Sequence, residues 1–254
     1  MLPSERQKQL LSFLTVKKSA GIQQLCSKMH ASAATIRRDL NQMERRGLIQ
    51  RTHGGAVILE GSSGEISIFS RESKNTAEKS LIGELACCFI KDSYTIFMDP
   101  SSTVCSVVPF LTRSKSVSVI TNGLRCASVL SERTSCDIYI LAGQLATRSN
   151  AIVGSDTITS IENYCADAAL ISCSGLSLES GVTEPAVEQS RVKLAMLSHA
   201  KTKILLCDHT KFGQTYLSRT CGAAEFDYLI TDCKPPQEYL DYFADQSCEL
   251  VYPD

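Results

Sequence analysis

Apolar residues recur at helical spacing early in the chain. Leu10, Leu11 and Leu14 share one face of a first helix, which Ser4, with Gln7 three residues on, is expected to cap. Ser19-Ala20-Gly21 breaks the pattern. Ile22, Leu25 and Met29 mark a short second helix, and His30-Ala31-Ser32 makes a tight connection. Ile36, Leu40 and Met43 form the inward face of a third helix, capped by Ser32 and stopped at Gly47. Two strand-like runs, 48–52 and 56–59, flank His53-Gly54-Gly55, where paired glycines suit the positive φ of a hairpin turn. Two short helices, a longer one and a hairpin predict a winged helix-turn-helix over residues 1–59.

Such a unit reads duplex DNA with the leading half of its third helix. Small Ala33 and Ala34 permit close approach to base edges, while Thr35, Arg37 and Arg38 reach bases or phosphates, and Ser32 starts the helix. Arg51 and His53 fall at or near the wing tip, within reach of a minor groove or phosphate. Asp39 and Glu44 do not suit phosphate and are read as structural, with Asp39 pairing to a nearby arginine.

Residues 60–75, including Gly61-Ser62-Ser63-Gly64, turn polar without a sustained period and are expected to connect two domains. Beyond them the patterns alternate. Leu81, Ile82, Leu85, Ala86, Phe89 and Ile90 make a helical stripe. Strand-like runs follow at 94–98, 117–120, 137–141, 168–173, 203–207 and 228–231, with helical stretches around 124–130, 158–164 and 187–199. This predicts an α/β fold over residues 76–254, doubly wound and mainly parallel.

In such a sheet the loops after the strands share one edge, where ligands bind. Those loops are Asp99-Pro100-Ser101-Ser102-Thr103, Thr121-Asn122-Gly123, Gly143-Gln144, Ser174-Gly175 and Asp208-His209-Thr210-Lys211. Ser101, Ser102 and Thr103 offer hydroxyls and backbone N–H groups to an anion. Asp99, Asn122 and Asp208 suit sugar hydroxyls, Lys211 supplies a positive charge, and Thr121, Gly143 and Gly175 complete the candidate set. The chemistry fits a phosphorylated polyol.

Charge sharpens the division of labour. Residues 1–60 hold ten Lys and Arg against four Asp and Glu, while residues 61–254 hold sixteen against twenty-three. A basic small domain attracts phosphate backbones, and an acidic remainder avoids them. The 43% apolar content is that of an ordinary globular chain of this length. No run of eighteen apolar residues occurs, and Pro3, Ser4, Glu5 and Arg6 do not open a signal peptide, so a cytoplasmic protein without membrane contact is expected. The twelve cysteines lie mostly in apolar segments, with no CxxC pair and no His at metal-ligand spacing. They are read as reduced and packed, and neither metal nor cofactor is expected.

Ala34-Thr35-Ile36-Arg37-Arg38-Asp39-Leu40, then Glu44 and Gly47, then Arg51-Thr52-His53-Gly54-Gly55-Ala56 closely resemble the N-terminal signature of the DeoR family of transcriptional regulators. Ala31 replaces the family's usual valine. The resemblance continues through the Asp99-to-Thr103 loop, Thr121-Asn122, Gly143 and the segment from Asp208 to Gly213. Arg71, Asn75, Glu78 and Lys79 match the start of the family's larger domain, and Gly181, Glu188 and Lys193 match farther on. Two departures bear on the ligand: Ser101 stands where the family usually has glycine, and Gln144 where a second glycine is common.

The resemblance implies a repressor of a carbohydrate-utilisation operon, controlled by a phosphorylated sugar or related metabolite and acting on its operator as a homodimer or homotetramer. It also implies a larger domain with a fold like that of ribose-5-phosphate isomerases, so a sugar-phosphate isomerase-like enzyme fused to a DNA-binding domain is the alternative. Isomerisation needs a positioned general base, and the stretch Ser172-Cys173-Ser174-Gly175-Leu176-Ser177 carries no acidic residue, so no catalytic residue is expected. A third reading, an architectural DNA-binding protein whose large domain only oligomerises, leaves the polar loops without a role.

Overall fold

The computed structural model describes residues 2–45, 48–58, 67–111 and 116–253. The chain divides into two compact units, Met1–Lys74 and Asn75–Asp254.

The first unit runs α1 (Pro3–Lys17), β1 (Ser19–Gly21), α2 (Ile22–Met29), α3 (Ala33–Arg45), β2 (Ile49–Thr52), β3 (Gly55–Ile58) and α4 (Ile68–Glu72). Leu10, Leu14, Leu25, Ile36, Leu40, Met43 and Ile49 are completely buried in one core. Each such side chain contributes about 1.5–3 kcal/mol relative to exposure. The helical spacing in the sequence therefore found the core face correctly.

Three local expectations change. Ser4 does not cap α1, which starts at Pro3; the Glu5 carboxylate instead accepts from the Leu2 N–H at 3.3 Å. Ser19-Ala20-Gly21 is a strand, β1, which pairs antiparallel with β3 and gives the sheet order β1-β3-β2. The turn is His53-Gly54, and neither Gly54 nor Gly55 has positive φ. Gly55 is required by close packing instead: a Cβ there would lie 2.0 Å from the Ala20 carbonyl oxygen. Gly47 and Leu59 lie outside the described residues, as do residues 60–66 of the expected connection, and α4 falls within the rest of that segment.

The second unit runs α5 (Thr76–Cys87), β4 (Thr95–Met98), α6 (Ser102–Cys105), α7 (Val108–Leu111), β5 (Ser118–Thr121), α8 (Leu124–Arg133), β6 (Asp137–Ile140), β7 (Gln144–Ala146), β8 (Ala151–Val153), α9 (Ser155–Ile161), β9 (Ala166–Ser172), β10 (Gly175–Ser177), β11 (Gly181–Glu184), α10 (Val187–Ser198), β12 (Ala200–Leu206), β13 (Ser218–Cys221), β14 (Tyr228–Ile230), α11 (Gln237–Ala244) and β15 (Glu249–Val251). Seven strands make one sheet in the order β15-β14-β12-β9-β4-β5-β6, and every pairing in it is parallel. Alternate residues serve opposite faces. Ile96, Met98, Ala168, Leu170, Ile204 and Leu206 pack with Ile82 of α5 and Leu130 of α8. Phe97, Ala169, Ile171 and Leu205 pack with Ile161 of α9, Val192 and Met196 of α10, and Tyr239 of α11. A sheet buried on both faces explains the nearly unbroken apolar strands.

The chain winds outward to β6 on one side of β4 and to β15 on the other, so the order reverses between β4 and β9. In sheets of this kind ligands bind outside the carboxyl ends of the two strands that flank the switch point. Two small antiparallel sheets, β10-β11-β13 and β7-β8, and the edge strand β15 carry no clear alternation because each strand has only three or four residues.

Candidate functional site

In the first unit, Ser32 accepts the Thr35 N–H at 3.2 Å, and the two hydroxyls are 2.9 Å apart, so Ser32 caps α3 as its sequence position suggests. Ala34, Arg37, Arg38 and His53 are exposed, and Ala33, Thr35 and Arg51 are half-buried. Arg37 and Arg38 have no hydrogen-bond or ion-pair partner among the described residues. Asp39 faces the other way. It is buried and receives the Arg6 guanidinium of α1 at 2.5 Å. Its hydrogen bond holds Arg6 even more firmly protonated than usual, against the cost of burial. The acidic residue within the basic helix thus ties α3 to α1. Glu44 also acts within the unit, accepting the Arg51 backbone N–H at 2.8 Å. The Arg51 side chain bonds to Asn41, so Arg51 links β2 to α3 instead of projecting from the wing tip.

In the second unit, the ends of β4, β9 and β12 are joined by lysines. Lys211 Nζ lies 3.2 Å from Thr103 Oγ1, 2.9 Å from Ser172 Oγ and 3.4 Å from Asp208 Oδ2. Burial disfavours its charge, but Cys173, Asp208 and Cys207 outweigh burial and hold its pKa above the ordinary lysine value. For Asp208, burial is likewise outweighed by Lys211, the Thr210 hydrogen bond and Lys79, which together lower its pKa. Asn75, which precedes α5, donates to Asp208 at 3.3 Å. Beneath them, Lys193 of α10 reaches the Ser172 carbonyl at 2.6 Å, Asp99 at 3.0 Å and the Glu184 carboxylate. All three ionic side chains are buried, and the two carboxylates raise the Lys193 pKa despite desolvation.

Other candidate residues are committed to the frame. Asp99 accepts from the N–H groups of Ser101 at 2.8 Å and Ser172 at 2.9 Å. Ser101 caps α6 by accepting from Val104, and Thr121 bonds to the Met98 carbonyl and the Gly123 N–H. Asn122 donates to the Ile152 carbonyl at 2.8 Å, while its buried Oδ1 has no partner among the described residues.

Residues 6–61 match the DeoR-like helix-turn-helix domain, and residues 74–233 match the DeoR C terminal sensor domain. The chain belongs to the DeoR family. It is 35% identical to the HTH-type transcriptional repressor GlcR of Bacillus subtilis, over 99% of this chain and 96% of that protein. It is 26% identical to the Glycerol-3-phosphate regulon repressor of Escherichia coli, over 98% of this chain and 99% of that one. Among solved structures, the ribose 5-phosphate isomerase A of Methanocaldococcus jannaschii superposes with a TM-score of 0.41 at 14% identity, over 55% of each chain.

Within this DeoR-family sensor unit, Thr103, Asp208 and Lys211 meet directly, with Asp99 one layer below through Ser172. Ser102 is buried at the start of α6. Gly143 and Gly175 serve backbone packing. Gly143, at φ 139°, would push a Cβ to 2.2 Å from Thr157 Oγ1, and Gly175 would push one to 2.4 Å from the Gln214 carbonyl oxygen. Of the two departures from the family pattern, Ser101 turns its hydroxyl into the α6 cap, and Gln144 is exposed at the start of β7. Sequence reasoning missed Ser172, Glu184 and Lys193 as parts of the site. A signal existed: Lys193 interrupts the buried stripe of α10, between Gln189 and Met196-Leu197. A lysine in an apolar stripe needs carboxylates nearby.

Proposed function

We propose that this DeoR-family chain is a DNA-binding transcriptional repressor of a carbohydrate-utilisation operon, whose DNA affinity is set by a phosphorylated sugar or related metabolite. The observation that carries this reading is Lys211, a half-buried ammonium held between the Thr103 and Ser172 hydroxyls at the switch point of the sheet. An anionic oxygen entering there exchanges weak hydroxyl partners for a charge-assisted bond. The unpartnered Asn122 Oδ1 is an acceptor for a ligand hydroxyl. The relative named for the glycerol-3-phosphate regulon supports a phosphorylated polyol.

DNA contact is assigned to Ser32, Ala33, Ala34, Thr35, Arg37, Arg38 and His53. Arg37 and Arg38 supply free charge, and Arg51 braces the wing. The effector site is assigned to Asp99, Ser101, Ser102, Thr103, Thr121, Asn122, Gly143, Gly175, Asp208 and Lys211. Among these, Thr103, Asn122 and Lys211 touch the ligand and the rest shape the crevice. The assignment extends to a homodimer or homotetramer that presents paired recognition helices to an operator.

Binding without turnover is favoured over isomerisation because the carboxylates are engaged. Asp99 and Glu184 are buried against Lys193, and Asp208 is bonded to Asn75, Thr210 and Lys211. A general base must be free to take a proton. The test is fluorescence anisotropy on DNA from upstream of the chain's own gene, with phosphorylated trioses, pentoses and hexoses in turn. One class is expected to shift operator affinity tenfold or more, which needs about 1.4 kcal/mol of differential binding. No shift with any class, or conversion of one at an enzyme-like rate, refutes the reading.

A further inference from the structure

His209 follows β12, while Asp232 and Cys233 follow β14, the parallel neighbour of β12, with Leu206 registered to Ile230. The carboxyl edge of the sheet therefore brings together three residues that lie 23 and 24 positions apart in the chain. One ligand atom from each, a His209 ring nitrogen, an Asp232 carboxylate oxygen and Cys233 Sγ, all lie within 4.8 Å of one another. The geometry points to a binding site for a thiophilic divalent cation with the preferences of zinc, held by His209, Asp232 and Cys233.

The donor set suits such an ion. Imidazole, carboxylate and thiolate are zinc's usual ligands, and a thiolate with a carboxylate matches the charge of a divalent cation. Three protein ligands leave one tetrahedral position for water or an outside anion. The carboxylate is oriented beforehand: Asp232 Oδ1 accepts the His209 backbone N–H at 2.7 Å, as an outer-shell bond does in metal centres. Without an ion, His209 Nδ1 and Asp232 Oδ2 are 2.6 Å apart and share a hydrogen bond. Tetrahedral ligation at about 2.0–2.1 Å separates two such atoms by roughly 3.3 Å. For this pair the required opening is under an ångström, while Cys233 Sγ, within 4.8 Å of the other two donors, closes to the roughly 3.5 Å of tetrahedral ligation; both movements fall on the exposed His209 and Cys233 side chains.

The ion must displace protons. Asp232, Asp208 and Glu78 of α5 all face His209 and raise its pKa, chiefly through the Asp232 hydrogen bond. Desolvation and Asp232 raise that of Cys233.

The experiment uses the full chain, stripped with chelator and reduced, titrated with Zn(II) by calorimetry and with Co(II) by absorption. One Zn(II) per chain is expected. Co(II) is expected to show the near-ultraviolet charge-transfer band of a cobalt–thiolate bond. Cys233→Ser should abolish that band, and His209→Ala should weaken Zn(II) at least tenfold, each with an unchanged circular dichroism spectrum. Cys88→Ser and Cys165→Ser, which alter exposed thiols elsewhere, should leave both signals intact. Absence of Zn(II) binding, or binding unaltered by His209→Ala and Cys233→Ser, overturns the site. Neither outcome touches the effector reading, which rests on Lys211.

Discussion

Replacing Lys193 by methionine removes the one cation between two buried carboxylates and keeps most of the volume. Side-chain exposure is 5% for Lys193, 0% for Asp99 and 6% for Glu184, so water does not compensate the loss. At 3.0 Å the Lys193–Asp99 attraction alone is about 5 kcal/mol for an effective dielectric constant of about 20, largely offset by desolvation when the pair forms. Breaking the pair strands the charges without returning that desolvation, at a cost of about 3–5 kcal/mol. In a unit of this size that lowers Tm by about 6–20 °C.

The deficit has a defined pH dependence. The raised Lys193 pKa means its contribution is complete below the unfolded lysine value and fades only as pH rises through the folded one, so the deficit stays level across neutral pH. Thermal unfolding of the full chain followed by far-ultraviolet circular dichroism, with Glu184→Gln and the double variant completing a cycle, measures the coupling. A loss below about 1 kcal/mol, the range of solvent-exposed pairs, would refute the claim that the triad is desolvated.

Arg37→Ala or Arg38→Ala should weaken operator binding and reduce the salt slope by about one each, and an unchanged slope would rule out phosphate contact. Lys211→Ala should preserve operator affinity while blunting the response to the effector by at least tenfold in the same anisotropy assay. Gly55→Ala should destabilise the first unit, because its Cβ meets the Ala20 carbonyl oxygen at 2.0 Å; unaltered melting would show that β1 is not clamped to the wing.

Much of this architecture was legible in one dimension. Helical spacing of Leu10, Leu14, Leu25, Ile36, Leu40 and Met43 found the core of the first unit, because a helix that buries one face must repeat every three to four residues. The six long apolar runs found six of the seven strands of the parallel sheet, since burial on both faces leaves little room for polar residues. β1, β15 and the two small sheets stayed hidden because most of their strands mix small, polar and apolar residues over three or four positions, with neither the apolar run of β14 nor an alternation.

The sequence by itself determined the reading helix, the layered sheet and the polar loops at its edge, because local spacing and turn chemistry are properties of neighbours along the chain. Only the tertiary structure decided which loops meet. It set Lys193 between Asp99 and Glu184, Lys211 between Thr103 and Ser172, and His209 beside Asp232 and Cys233. Those partners are fixed by strand order and register, and charge pairing acts over a few ångströms of space with no regard for distance along the chain.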